Sequence, residues 1–266
     1  MVKNSIKSLR GDLMLLKAYA KVNLFLDVIE KRVDNYHNIL TLFQSIPLYD
    51  EMNIEFAEKE IFTSSPELKF SWNNNLIKKA IDTFKSLTEY SFNLKIHLNK
   101  KLPEGGGIGG GSADAAAVLR FLKVEYNISD NDIIEIGAKV GGDVPFLIFG
   151  GTAIAEGIGD KLTFLEPLKL NFEFNFPGIH ISTPEMYNEI DKNWSKLTKF
   201  GNPMKLYEGL KERDYIKVKE NTFNIFEQVV FPKYPKLKRI KENMDKNSII
   251  SLMSGSGSTI FSIQYI

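Results

Sequence analysis

Two periodicities run through this sequence, and together they predict a mixed helix-and-strand protein built on an antiparallel sheet. Ala20, Val22, Leu24, Leu26 and Val28 share one face of an extended run, and Tyr19, Lys21, Asn23, Phe25 and Asp27 share the other. Phe92, Leu94, Ile96 and Leu98 alternate with Asn93, Lys95, His97 and Asn99, a strand with one wet face, which favours antiparallel pairing over a fully buried parallel sheet. Ser112 to Lys123, rich in Ala and Leu, reads as a helix.

The remaining elements follow in order. Residues 13–29 read as extended, and Lys31 to His37 as a polar turn in which Asn35 can take a left-handed backbone. Ile39–Asp50 and Met52–Phe56 read as further extended segments and Leu76–Leu87 as a helix. Asp130–Val140 is a helix stopped by Gly141-Gly142. Phe146–Ala155, interrupted by Gly150-Gly151, reads as a bent strand or strand pair. After Gly157-Ile158-Gly159-Asp160 Lys and Glu alternate with Phe and Leu, which divides the chain into residues 1–158 and 159–266. In the second part Phe172–Phe176 alternates as a strand. Glu185–Lys192, Asn202–Arg213 and Pro235–Lys246 read as helices. Ser248–Met253 and Thr259–Tyr265 read as strands around the turn Ser254 to Ser258.

Composition removes several function classes. Lys+Arg is 34 against Asp+Glu 33 in 266 residues, a formal charge of +1, so no global basic field draws the chain to nucleic acid. The absence of cysteine excludes disulfides, zinc thiolates, iron–sulfur clusters and a Cys nucleophile. No segment reaches the ~18 apolar residues of a membrane span. Met1–Asp12 is polar and basic with no signal-peptide core behind it. A cytoplasmic protein without nucleic-acid or membrane partners is expected.

The run Gly105-Gly106-Gly107-Ile108-Gly109-Gly110-Gly111 leads into Ser112 and a helix. Each glycine loses extra backbone freedom on folding, which makes sense where amides must approach a ligand closely. A helix N-terminus behind the run offers free N–H groups and a positive dipole end, so the ligand is expected to be an anion, phosphate first. A flexible linker would not run from a patterned strand straight into a strong helix. A P-loop needs Lys-Ser/Thr after its last glycine, and Gly111-Ser112-Ala113 has no lysine. Gly105, Gly107 and Gly110 nominally match a dinucleotide fingerprint, with Glu125 near the ribose-acid distance. The half-polar preceding strand, the intervening Pro103-Glu104 and the place of Glu125 just past the same helix argue against it.

Pro103-Glu104-Gly105-Gly106-Gly107-Ile108-Gly109-Gly110-Gly111-Ser112-Ala113-Asp114 resembles the ATP-binding motif of the GHMP small-molecule kinases. Ala20 to Leu26, Asn35-Tyr36-His37, Leu42-Phe43-Gln44 and Gly142 to Phe146 narrow the resemblance to those GHMP kinases that act on a CDP-linked methylerythritol. Ser254 to Thr259 is similar to the third motif of the superfamily. The resemblance implies an α+β, two-domain GHMP kinase fold, with a ribosomal-S5-like N-terminal domain and a ferredoxin-like C-terminal domain. It implies direct phosphoryl transfer from ATP to the 2-hydroxyl of 4-diphosphocytidyl-2-C-methyl-D-erythritol in the non-mevalonate isoprenoid route.

Residue by residue, the resemblance makes Lys21 and Asp143 catalytic, the lysine near the transferred phosphate and the carboxylate accepting the hydroxyl proton. On pattern alone Lys21 and Asn23 are an ordinary strand face, and Asp143 a turn or cap carboxylate. Asn23, Tyr36, His37, Thr183 and Tyr187 are implied as substrate contacts. Tyr36 would stack on cytosine, His37 would hydrogen-bond its edge, and Tyr187 would sandwich the base from the other side. Asn75, Leu76 and Lys100 are implied to line the adenine region. Ser112 is implied to approach the β/γ-phosphates, and its bland role is N-cap of the helix it opens. Ala113 stands where the family usually carries Ser. No carboxylate is evident as a Mg²⁺ ligand, so the metal is expected through the nucleotide. Monomer and homodimer both stay open. A GHMP kinase for another alcohol and a non-catalytic nucleotide sensor are the alternatives. Tyr36, His37 and Tyr187 distinguish the first, and the pair Lys21 and Asp143 the second.

Overall fold

The computed structural model describes residues 13–68 and 71–265, so the polar stretch Met1–Asp12 lies outside the described residues. In chain order the elements are β1 (Met14–Lys31), β2 (His37–Ala57), β3 (Ile61–Ser65), α1 (Leu76–Thr88), β4 (Asn93–Asn99), α2 (Gly110–Glu125), α3 (Asp130–Val140) and α4 (Val144–Phe149). They continue as β5 (Thr152–Glu156), β6 (Lys161–Leu165), β7 (Phe172–Asn175), α5 (Thr183–Asn193), α6 (Pro203–Glu212) and α7 (Tyr215–Asn221). The last elements are β8 (Phe223–Asn224), α8 (Glu227–Lys233), α9 (Pro235–Asp245), β9 (Ile250–Met253) and β10 (Ile260–Ile263). The mixture is α+β, as the sequence reading expects.

Two compact units emerge, each assembled from more than one stretch of the chain. Of the described residues, one comprises 13–20, 47–68, 71–102 and 110–149, and the other 21–46, 103–109 and 150–265. The long strands β1 and β2 each pass from one unit to the other, and so does the glycine-rich segment, between Gly109 and Gly110.

In the first unit the C-terminal half of β2 pairs antiparallel with β4, Glu51 opposite Asn99 through Ala57 opposite Asn93, and β3 adds to β4 in parallel. Leu94, Ile96 and Leu98 of β4 are buried while Lys95 and His97 are exposed, which is the one-wet-face strand of the sequence reading. On the wet face Lys95 Nζ pairs with its cross-strand neighbour Glu55 at 2.7 Å. Helices α1 to α4 pack together, and the core includes Ile77, Ile81, Phe84, Leu119 and Leu122.

In the second unit β5 pairs antiparallel with Thr41–Gln44 of β2, β6 pairs with β5, and β8 lies parallel to β1 at Phe25–Leu26. A separate antiparallel sheet, β7-β10-β9, carries α9 against β9 and β10.

Several expectations need correction. Residues 146–155 are not a bent strand: Val144–Phe149 is helix, and the strand begins at Thr152. A short, wholly apolar run does not distinguish a buried helix from a buried strand by periodicity, and Pro145 in the first turn suits a helix start. Ile39–Phe56 is one continuous strand. Helix α2 begins at Gly110, which places Ser112 inside its first turn rather than at the N-cap.

Candidate active site

Within the second unit, three segments meet beside β1. Lys21 and Asn23 lie on the face the alternation assigns them, but that face is not a wet one: they are only 3% and 2% exposed. Burial of these polar groups is sustained by a line of hydrogen bonds. Lys21 Nζ donates to Asn23 Oδ1 at 2.8 Å, Asn23 Nδ2 donates to Thr41 Oγ1 at 2.8 Å, and Thr41 Oγ1 donates to the Phe25 carbonyl at 2.6 Å. The Lys21 ammonium also sits over the Phe43 ring, 5.0 Å from its centroid.

The first half of the glycine segment is held against this strand through its carbonyls. Lys21 N–H donates to the Ile108 carbonyl at 3.1 Å, Thr259 N–H to that of Gly106 at 3.1 Å, and Ser254 Oγ to that of Gly107 at 2.9 Å. Gly107 has φ +76°, and a Cβ there would lie 2.2 Å from the Ser254 carbonyl oxygen and 2.8 Å from that of Gly257. Glycine is therefore obligatory at 107 because another backbone occupies the side-chain space. The Ser254–Thr259 turn thus steadies the glycine segment.

The second half opens α2 in the first unit. Gly111 is exposed, and a Cβ on it would meet only Leu76 Cδ1 at 3.6 Å. The first four N–H groups of a helix have no partner within it, so this end presents donors and a positive dipole. Asn75 is buried, and its Oδ1 accepts from Ile77 N–H at 2.9 Å, capping α1. Ala113 is buried at 1% exposure. Asp143 is half-buried in the turn before α4, where its carbonyl accepts from Leu147 N–H at 3.1 Å.

Lys100 is buried at its side chain. Its ammonium lies between Asp50 Oδ2 at 2.5 Å and Asp114 Oδ2 at 2.7 Å, with the lysine side chain 8% exposed. Burial works against the charged ammonium, but Asp114 and Asp50 outweigh it and hold its pKa above the ordinary lysine value. Burial pushes the Asp114 carboxyl up to about 8 against the pull of Lys100. The sequence reading gave Asp114 and Asp50 no role.

Around the β1–β2 turn Asn35 adopts the left-handed backbone expected of it, with φ 66°. His37 is buried and Tyr36 is exposed. His37 Nε2 meets Asp191 Oδ1 at 2.8 Å, and Lys31 Nζ meets the other oxygen at 2.7 Å. Burial opposes the Asp191 charge, but these two partners hold its pKa below the usual carboxylate value. The His37 ring stacks on Tyr187, centroids 4.6 Å apart and planes 21° apart. That spacing leaves no room for a base between His37 and Tyr187, so the face of Tyr187 turned to His37 is filled by protein. Thr183 Oγ1 lies 2.7 Å from Ser256 Oγ. Asp191 was missed in the sequence because a carboxylate near the end of a polar helix has no distinguishing spacing.

The GHMP kinases N terminal domain family matches residues 75–151, and the GHMP kinases C terminal family matches residues 206–263. The 4-diphosphocytidyl-2-C-methyl-D-erythritol kinase of Petrotoga mobilis is 58% identical over 95% of this chain and 99% of its own. The chain belongs to the 4-diphosphocytidyl-2-C-methyl-D-erythritol kinase family. The Thermotoga maritima enzyme of the same family is 40% identical over 93% of this chain and 91% of its own. A crystal structure of a 4-(cytidine 5'-diphospho)-2C-methyl-D-erythritol kinase superposes with a TM-score of 0.75 at 31% identity, over 94% of this chain and 90% of that one. The mevalonate kinase of Methanococcus jannaschii, at 17% identity and a TM-score of 0.62 over 96% of this chain and 92% of that one, shares the fold. Membership makes the chain an ATP-dependent GHMP kinase. Among the described residues, no helix is long and apolar enough to cross a membrane.

Proposed function

We propose that this kinase transfers the γ-phosphoryl group of ATP to the 2-hydroxyl of 4-diphosphocytidyl-2-C-methyl-D-erythritol. The observation that carries the reading is the buried Lys21–Asn23–Thr41 line, joined to the glycine segment through the Lys21 N–H, in a chain of this family. A buried ammonium acts in a low-dielectric setting, where it stabilises charge developing on a transferred phosphoryl group far better than in water. Asn23 fixes the Lys21 side chain and helps hold the acceptor alcohol. Asp143 orients the hydroxyl and takes its proton as the oxygen bonds to phosphorus and ADP departs.

The nucleotide would rest on Pro103–Ala113, its phosphates on the N–H groups opening α2, with Asn75 and Leu76 beside it. The open space at Gly111 fits a close-approaching anion. Mg²⁺ would arrive on the triphosphate, with the Ser112 hydroxyl in the first turn of α2 as the side chain that would approach it. Mg²⁺ when bound supplies neutralisation of phosphate charge.

At the other end Tyr36 presents its ring for stacking on cytosine, and Thr183 adds a hydroxyl. Asp191 accepts from His37 Nε2, which leaves Nδ1 as an acceptor in the neutral ring. An acceptor matches the exocyclic amine of cytosine and opposes the carbonyl of uracil. Tyr187 supports the imidazole from behind. A cytoplasmic enzyme, monomeric or homodimeric, completes the proposal.

An ADP-release assay with a panel of alcohols tests this reading. Turnover is expected with the CDP-linked substrate, falling at least about tenfold with its UDP analogue. Activity confined to homoserine or mevalonate would overturn it.

A further inference from the structure

We infer that Asp50, Lys100 and Asp114 form a clamp that fixes the two ends of the glycine segment relative to each other, and that they tune ATP binding as positioning residues without touching the nucleotide. The inference deepens the proposed function and rests on its reading of the α2 N-terminus as a phosphate site.

The connections are specific. Asp50 Oδ1 accepts from the backbone N–H groups of Lys101 at 2.5 Å and Leu102 at 2.7 Å, the last residues before Pro103. Asp50 Oδ2 pairs with Lys100 Nζ at 2.5 Å, and that ammonium reaches Asp114 Oδ2 at 2.7 Å, in the second turn of α2. Chain entry and chain exit of the glycine segment are thus joined through one ammonium. Gly110 sits directly beside this joint: a Cβ on it would lie 3.3 Å from Lys100 Nζ and 3.5 Å from Leu102 Cβ.

The three side chains are 0%, 8% and 5% exposed for Asp50, Lys100 and Asp114, so their interactions are desolvated and little screened. The two carboxyls are not equivalent. Asp50 accepts three hydrogen bonds, two of them from the backbone that leads into the segment. Asp114 accepts one, and its Oδ1 is buried with no hydrogen-bond partner. Asp50 therefore anchors the entry strand, whereas Asp114 is the tie that brings α2 to it. Bound phosphate is sensitive to such positioning, because a misplacement of about 1 Å can weaken a preorganised site about 10²-fold.

The test measures the Kd of a non-hydrolysable ATP analogue by calorimetry, together with KM for both substrates. Asp114→Ala cuts the tie while placing a strong helix former in α2 and leaving Lys100 paired with Asp50, so the chain should fold. We expect its Kd and KM for ATP to rise about fivefold or more, with KM for the CDP-linked substrate within about twofold of the wild type. Asp114→Asn, whose amide oxygen accepts from Lys100, should bring both values for ATP back to within about twofold. Asp50→Asn should raise them about tenfold or more. If Asp50→Asn does not fold, the Asp114 pair decides. A folded Asp114→Ala with unaltered analogue affinity, or with KM for both substrates rising in step, would overturn the clamp. Wild-type protein that binds the analogue but never phosphorylates the CDP-linked substrate would overturn the proposed function instead, with the clamp still read from Kd.

Discussion

The two halves of the glycine segment are made of the same residue for different reasons. A Cβ on Gly105, Gly106 or Gly107 would lie within 2.9 Å of His180, Thr259 or Ser254 atoms respectively, although Gly105 is itself exposed. Gly111 opens a helix and has free space around it. At Gly107 glycine permits backbone to pack on backbone, and at Gly105 and Gly106 it makes room for the His180 and Thr259 side chains. In the second half it leaves an approach for something outside the protein. This glycine-rich motif is therefore two devices in series, a stretch of anchored carbonyls followed by a row of helix-terminal amides.

Substitutions can break or sharpen this contrast. The largest effect on rate is expected from Lys21→Ala and Asp143→Asn, each lowering kcat about 10²–10⁴-fold while ATP affinity stays near the wild type. Loss in both variants would place both side chains in the chemistry. Near-normal turnover in either variant would remove its residue from the chemistry. Gly107→Ala should come next. The added methyl meets the Ser254 carbonyl in a left-handed backbone, which costs about 1–3 kcal/mol or more, and a fall in Tm with loss of activity is expected. Gly111→Ala should do the reverse. Its Tm should hold or rise, since Ala is favoured over Gly in a helix by about 1 kcal/mol, while KM for ATP rises about tenfold. Equal behaviour of the two glycine variants would erase the distinction.

The last effect is on stability rather than rate and concerns pH. The Asp114 carboxyl titrates near 8 in the folded chain against an ordinary value of 3.8. The unfolded chain thus releases this proton first, and the stability that the protonated carboxyl carries below about pH 4 is lost as pH rises toward 8. Asp114→Asn should therefore gain stability over the wild type between pH 4 and 8, and the gain should vanish in acid. Urea midpoints across this range measure it, and a pH-independent difference would contradict the assignment.

Much of the site was legible in the sequence. The alternation around Lys21 and Asn23 put both on one strand face, and the tendency of Asn to adopt a left-handed backbone predicted the turn at Asn35. Tyr19 and Phe25 on the Lys21 face argued against a simply wet one, but pattern could not show which segments cover it, because polar residues at period two look the same whatever lies over them. Tertiary partners were equally hidden. Asp191 reaches His37 across 154 positions, and Asp50 reaches Lys100 across 50, distances at which no spacing rule operates. Helix α4 was misread because an apolar run of six has no period to display. Helices α7 and α8, of seven residues each and the second carrying Pro232, were passed over because they are too short to show an amphipathic stripe.

The central claim is that the amides opening α2 take the triphosphate while the preceding carbonyls are committed to the protein. Hydrogen–deuterium exchange across residues 103–114, with and without a non-hydrolysable ATP analogue, addresses it directly. Protection that appears on binding at Gly110 to Ala113, with residues 105–108 little changed, is the expected result. Saturating analogue that leaves the exchange of Gly110 to Ala113 unaltered would contradict the account.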